Sequence, residues 1–380
     1  MRIDHALLCA GLIAGTGCEP LAVVGEERRQ TITTAVPGPD GRWRQAGFRG
    51  AASDDEATAD AWYGLADAAG QLVRHQTVDA TQNADSIRAS VVLGDQWVLA
   101  GFTTDADGLR SAWVRSVGPD DAEVWTVKIG GAAGVETEAT AISVTNIGTL
   151  LVGGIERLAD GSTDGWVAQL AADGGVLWRR AFATDFQRQT TGMRVWAIGS
   201  KALPASPSKR QFWVAGERVR AGVTAAGAVE LTLDGEVWNS GELGLDGRIV
   251  AVFADRADDL AYCALLGGRP VVAHTLPWEL TNPAIIPLTD DPTAQLAGCA
   301  LTGTQVLATG TVERDGVSTP FFATYERTTR QVTSFTAHPT ERGVRVSGVT
   351  PGNDGTAAIY GRRDALLRRW SASSSGFVTP

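Results

Sequence analysis

Positive charge is in short supply in this chain, and so is any long apolar stretch beyond its first twenty residues. Its 380 residues carry 33 Lys and Arg against 43 Asp and Glu, a net charge of −10. Phosphate backbones need a basic stripe, so a nucleic-acid role is excluded. No run of 18 apolar residues follows the N-terminus, so no membrane span is expected. Met (2) and Tyr (4) are scarce while Trp reaches 12, which concentrates aromatic packing in Trp. There are 4 His. His5 lies in the leader, and His75, His274 and His338 share no spacing that would build a metal site or a nucleophile–base pair. Nucleophile elbows, zinc-protease helices and phosphate loops are also missing.

What is present is a repeat. Seven times a short apolar run closes on a small residue: Ala46-Gly47, Ala100-Gly101, Gly153-Gly154, Ala215-Gly216, Cys263-Ala264, Thr309-Gly310 and Tyr360-Gly361. The gaps between these closures are 54, 53, 62, 48, 46 and 51 residues. A period near 50 filled with strand-length runs predicts an all-β, seven-bladed β-propeller of four-stranded antiparallel blades spanning residues 30–380. With 45 Gly and only 20% charged residues, the composition suits many short strands joined by tight turns. The third repeat is the clearest, with strands expected over 137–144, 149–155, 165–170 and 175–182. Asp173-Gly174 between its last two strands is the type I′ hairpin signal, and nine Asp-Gly pairs sit at or near expected turns.

Trp113 and Trp125 stand 12 residues apart, as do Trp166 and Trp178. Trp62, Trp238, Phe321 and Phe322 occupy comparable places. Such recurrence is read as packing between blades, each ring burying about 150–250 Å². The glycine closing each second strand is expected to let a neighbouring backbone or ring approach. The last repeat ends in a stub of a fourth strand. Residues 19–29, with the apolar run 20–25, are therefore a tether or a strand that closes the ring.

The unit Asp164-Gly165-Trp166-Val167-Ala168-Gln169-Leu170, then Asp173-Gly174-Gly175-Val176-Leu177-Trp178, then Trp213-Val214-Ala215-Gly216, resembles the secreted bacterial β-propeller repeats of the SBBP and delta-60 type. The resemblance implies a surface or secreted module and names no activity. Weaker likenesses point to quinoprotein propellers and to the propeller lipoprotein of outer-membrane barrel assembly. A quinoprotein would need adjacent cysteines, which the chain lacks.

Residues 1–18 read as a signal peptide: Arg2, the apolar stretch 6–14, then Gly15-Thr16-Gly17-Cys18. The exit resembles a bacterial lipoprotein signal, which implies lipidation of Cys18. The expected address is the cell envelope, as an outer-membrane lipoprotein touching the membrane only through its lipid. Cys263 and Cys299 remain in the mature body. They fall in neighbouring repeats, so a disulfide and a pair of buried thiols both stay open.

Acid gathers where second strands join third strands: Asp54, Asp55 and Glu56 with Asp60, Asp105 with Asp107, Asp160 with Asp164, and Glu313 with Asp315. Connections between blades add Glu136, Glu138, Asp290 and Asp291 to the same rim. This face would suit a basic protein partner or Ca²⁺, with Asp105, Asp107, Asp160 and Asp164 as the metal candidates. No complete calcium loop is present, and no other cofactor is expected. The insertion at 199–210 is basic and falls on the opposite rim. The overall expectation is a monomeric, non-enzymatic scaffold that binds an envelope or surface protein. The alternative is an enzyme working at the propeller channel, as a dehydrogenase, lyase or hydrolase.

Overall fold

The computed structural model describes residues 29–38, 41–50, 59–67, 72–78, 84–131, 133–182, 193–200, 212–220, 223–256, 259–275, 282–351, 357–363, 366–373 and 376–378. Every element of regular length in them is a strand, and the strands form sheets in which sequence neighbours pair antiparallel. Six sheets are full four-stranded blades. The seventh is partial, because its fourth strand is only Gly376–Val378. The inner strands are Arg29–Pro37, Ser86–Leu93, Glu136–Val144, Met193–Ser200, Gly247–Arg256, Gln295–Thr302 and Val344–Pro351. In the third blade the strands are Glu136–Val144, Leu150–Arg157, Thr163–Leu170 and Val176–Ala181, within two residues of expectation at most ends.

The recurring glycine has a common cause. In every inner strand the register slips by one residue, leaving Thr33, Arg88, Thr140, Trp196, Val250, Ala297 or Ser347 unpaired. Each bulge bends its strand toward the second strand. A Cβ on Gly101 would lie 1.9 Å from the Ser86 carbonyl oxygen, and one on Gly154 only 1.8 Å from that of Glu138. The expected close approach is therefore a backbone carbonyl, repeated blade after blade. Blade five has Ala264 at this place.

Among the described residues there is no single core; apolar wedges fill the gaps between neighbouring sheets. Trp166 is fully buried among Val98, Ala112 and Val114 of blade two and Leu150 and Val152 of its own blade. Its indole N–H donates to the Ile155 carbonyl at 3.2 Å. Phe321 and Phe322 are likewise buried, and Trp62 lies with Ile32, Ala35 and Tyr360 between blades seven and one. Blade seven meets blade one again through Thr350 Oγ1, which donates to the Ala35 carbonyl at 2.6 Å. The expected strand at 19–29, apart from Arg29 itself, lies outside the described residues, as do Cys18 and the basic insertion beyond Ser200.

Three expectations need correction. Trp238 is 69% exposed rather than packed between blades. Trp178 pairs opposite Gln169, whereas Asn239 takes the equivalent place opposite Glu230. The turn is the same length in both blades, but Trp238 stands one residue nearer to it and falls on the unpaired bulge position, where Val124 and Leu177 also face solvent. Asp164-Gly165 is no turn, because both residues lie inside the strand Thr163–Leu170. Nor is Asp173-Gly174 a type I′ pair. Gly174 alone has positive φ (87°), and its N–H closes a four-residue turn on the Ala171 carbonyl. Asp315-Gly316, with φ of 53° and 73°, is such a pair.

Cys263 and Cys299 form a disulfide between blades five and six, with Cα atoms 6.4 Å apart. The reading as two free thiols is thereby set aside. Closing a loop of 36 residues contributes about 4 kcal/mol on the chain-entropy account.

Candidate functional site: the rim and the channel mouth

The connections between second and third strands share one end of every sheet with the starts of the inner strands. Among the described acids, Asp105, Asp107, Asp160, Glu313 and Asp315 are exposed at that end. Several of the carboxylates at this end have a local task. Asp105 Oδ1 accepts the backbone N–H groups of Asp107 (3.0 Å) and Leu109 (2.9 Å), which tightens its own turn. Asp160 Oδ1 accepts the Ser162 N–H (2.9 Å) and hydroxyl (2.5 Å). The Ser162 hydroxyl, and then its N–H, lower the Asp160 pKa below the usual carboxylate value. Asp291 does the same with Thr293, whose hydroxyl is the chief cause of its lowered pKa, and also pairs with Arg314 at 2.8 Å. Asp315 pairs with Arg342 at 3.3 Å, and Glu136 with Arg157 at 3.4 Å. Glu138 of blade three pairs with Arg110 of blade two.

Asp164 departs from the rim. It is only 2% exposed, and Oδ1 accepts the Gly165 N–H (2.7 Å) and the Met193 N–H (3.0 Å). That carboxylate ties blade three to the first residue of blade four. Asp105 and Asp160 sit in different blades, and no three His, Cys, Asp or Glu side chains gather for a metal ion among the described residues. The proposed calcium ligands are therefore not brought together. Asp54, Asp55 and Glu56 lie outside the described residues.

The histidines are equally scattered. His75 is exposed on an outer strand. His274 is buried, with its ring 5.2 Å from that of Tyr325. His338 Nδ1 accepts the Thr340 and Glu341 N–H groups at 3.3 and 3.0 Å, and its ring meets Phe377 of the seventh sheet at 4.7 Å. Burial lowers the His338 pKa.

A cleft of about 600 Å³ opens at the channel mouth between blades five, six and seven. Arg248 and Arg345 stand on its two sides, and Gln295, Thr311 and Ser318 come from the blade between them. Leu296, Val344 and Val346 supply a buried apolar floor. The Arg248 guanidinium lies 5.9 Å from the centre of the Trp196 ring, the bulge residue of blade four. The sequence reading passed over these arginines, although a signal exists. Arg194, Arg248 and Arg345 are each the second residue of an inner strand. Arg194 is engaged by Glu217 at 2.8 Å and by Thr163.

No family model matches the chain, and no curated protein matches it. The likeness to secreted bacterial repeats therefore stands only at the level of the fold. Solved structures do match. The WD40 β-propeller domain of Doa1 is 12% identical, with a TM-score of 0.53 over 94% of this chain and 95% of that one. Sqt1 from Chaetomium thermophilum is 15% identical, with a TM-score of 0.52 over 93% and 84%. A puromycin-hydrolysing peptidase of Mycobacterium tuberculosis is 11% identical, with a TM-score of 0.53 over 92% of this chain. The chain spans about half of that peptidase, 52% of its length. At these identities the likeness shows architecture alone. The chain is a β-propeller of four-stranded antiparallel blades, similar in fold to WD40 and peptidase propeller domains.

Proposed function

We propose that this chain is a seven-bladed propeller lipoprotein of the bacterial envelope that binds a basic protein partner on its acidic rim. The observation that carries the reading is the set of exposed carboxylates Asp105, Asp107, Asp160, Glu313 and Asp315 at one end of the sheets. Asp105 is held by its turn, Asp160 by its neighbouring serine and Asp315 by an arginine partner, so partner binding need not order them first. Thr16-Gly17-Cys18 supports export and anchoring, and the Cys263–Cys299 disulfide suits an oxidising compartment.

The test is a pull-down from envelope extract with the intact protein, the Cys18→Ala variant and a rim variant carrying Asp105→Asn, Asp107→Asn and Asp315→Asn. A partner lost with the rim variant, and membrane fractionation lost with Cys18→Ala, are the expected results. Equal recovery by the rim variant would sink the rim, and a Cys18→Ala protein still in the membrane fraction would sink the anchor. A catalytic reading has one observation in its favour, the polar cleft at the channel mouth. It requires turnover that survives the rim substitutions.

A further inference from the structure

We propose that the cleft at the channel mouth is a carboxylate-binding site, with Arg248 of blade five and Arg345 of blade seven as its two clamps. This site lies at the same end of the sheets as the acidic rim, inside the border that Glu313 marks, and would take a ligand of opposite charge to that rim's partner. A cleft of about 600 Å³ holds a small polycarboxylate or a few residues of an acidic peptide. Its chemistry is asymmetric. The two guanidinium groups come from opposite sides, and blade six contributes only neutral polar groups between them, Gln295, Thr311 and Ser318.

Guanidinium groups present planar forks of N–H donors that match carboxylate oxygens, and a fork held in place loses less freedom on binding. Arg248 is placed over the Trp196 ring, so it is held on its aromatic side. On blade six, Asp291 pairs with Arg314 and Asp315 with Arg342. Glu313 is exposed and pairs in strand register with Ser318, so it marks the outer edge of the cleft. Leu296, Val344 and Val346 line the floor, which suits the carbon skeleton of a ligand whose carboxylates reach the arginines.

Titration calorimetry of the full chain at fixed salt tests the site with citrate, with an acetylated and amidated tetraglutamate peptide, and with the matching tetraglutamine peptide. Saturable binding of citrate or tetraglutamate, with none of tetraglutamine, is expected. Citrate alone identifies a free organic acid, and tetraglutamate alone identifies an acidic segment. Arg248→Gln and Arg345→Gln should each weaken binding about tenfold, the loss of one charge-assisted contact. Arg330→Gln, in an exposed turn on the opposite rim, should leave it unchanged. Glu313→Gln should tighten binding, an effect that a damaged fold would not produce. The proposal is overturned if neither acid binds saturably. It is equally overturned if the Arg248→Gln, Arg345→Gln double variant binds as the wild type does, or if Glu313→Gln weakens binding.

Discussion

Blades two and three hold their neighbours by a repeated indole clasp, whereas blades five and six are held by a covalent bond. Trp125 on the outer strand of blade two donates to the Ala172 carbonyl, and its ring covers Gly174 in the turn of blade three. One blade on, Trp178 donates to the Leu233 carbonyl and covers Gly235. Any side chain at either glycine would collide with the ring: a Cβ on Gly174 would lie 2.7 Å from it. Blade four breaks the series with an exposed Trp238, and the next junction, between blades five and six, carries the Cys263–Cys299 bond. Where the repeat has drifted from its pattern, a disulfide contributes what the side-chain clasp contributes elsewhere. The fold therefore tolerates different fasteners, provided each blade face stays apolar.

Emptying the apolar wedge beneath a clasped junction should have the largest effect. Trp166→Ala empties a fully buried site between blades two and three and should cost about 3–5 kcal/mol in urea unfolding. A loss below 1 kcal/mol would mean the blades repack around the gap. The covalent junction comes next. Cys263→Ala with Cys299→Ala, or reduction of the wild type, should remove about 4 kcal/mol at most, since strain and residual structure usually reduce the loop-entropy value. An unchanged melting temperature on reduction would show that blades five and six need no staple.

The shared bulge gives a sharper comparison. Gly101→Ala forces a methyl group against the Ser86 carbonyl and should destabilise by about 1–3 kcal/mol. Ala264→Gly, at the same place in blade five, should cost less, about 0.5–1 kcal/mol. Reversal of that order in thermal denaturation would remove the bulge as the reason for the repeated glycine. Trp178→Phe keeps the ring but loses its N–H bonds to Gln169 and Leu233, an expected loss of about 1–2 kcal/mol. Trp238→Phe should fall within about 0.5 kcal/mol of wild type, and a larger loss would give the exposed indole a structural task.

The smallest effect concerns pH. Burial lowers the His338 pKa from its ordinary value of 6.5, so the unfolded chain takes up this proton first as pH falls. Stability is therefore full above 6.5 and declines as pH drops through the window below it. The His338 ring packs on Phe377, so the stub of the seventh sheet should loosen first. Hydrogen exchange of residues 376–378 at pH 7.5 and 5.5, in the wild type and His338→Gln, measures this. Equal protection at both pH values, once the intrinsic pH dependence of exchange is divided out, would remove His338 as the cause.

Much of the architecture was legible because strand signals are local. Asp-Gly and Gly-rich turns, apolar runs and a period near 50 place most strand ends within a few residues. The rim was legible in part, since a connection's position in the blade dictates which end it occupies. Asp164 was misread for a physical reason. Its Asp-Gly looks like a turn, yet the carboxylate meets its partner, the Met193 N–H, 29 residues away in the next blade. The clefts and clasps escaped because their members come from different blades. Arg248 and Arg345 are almost a hundred positions apart and meet only because blades five, six and seven follow one another around the axis.

By itself the amino-acid sequence determined that the chain folds into repeated four-stranded sheets and where their turns fall. Backbone preference and apolar alternation act over a few residues, and both are written into each repeat. Only the tertiary structure decided which carboxylates are spent on turns and ion pairs, that Cys263 reaches Cys299, and that two arginines share one cleft. Those outcomes depend on the inner-strand bulges and on the seating of each sheet against the next. Both are set by close packing among residues some 50 positions apart, which no local signal encodes.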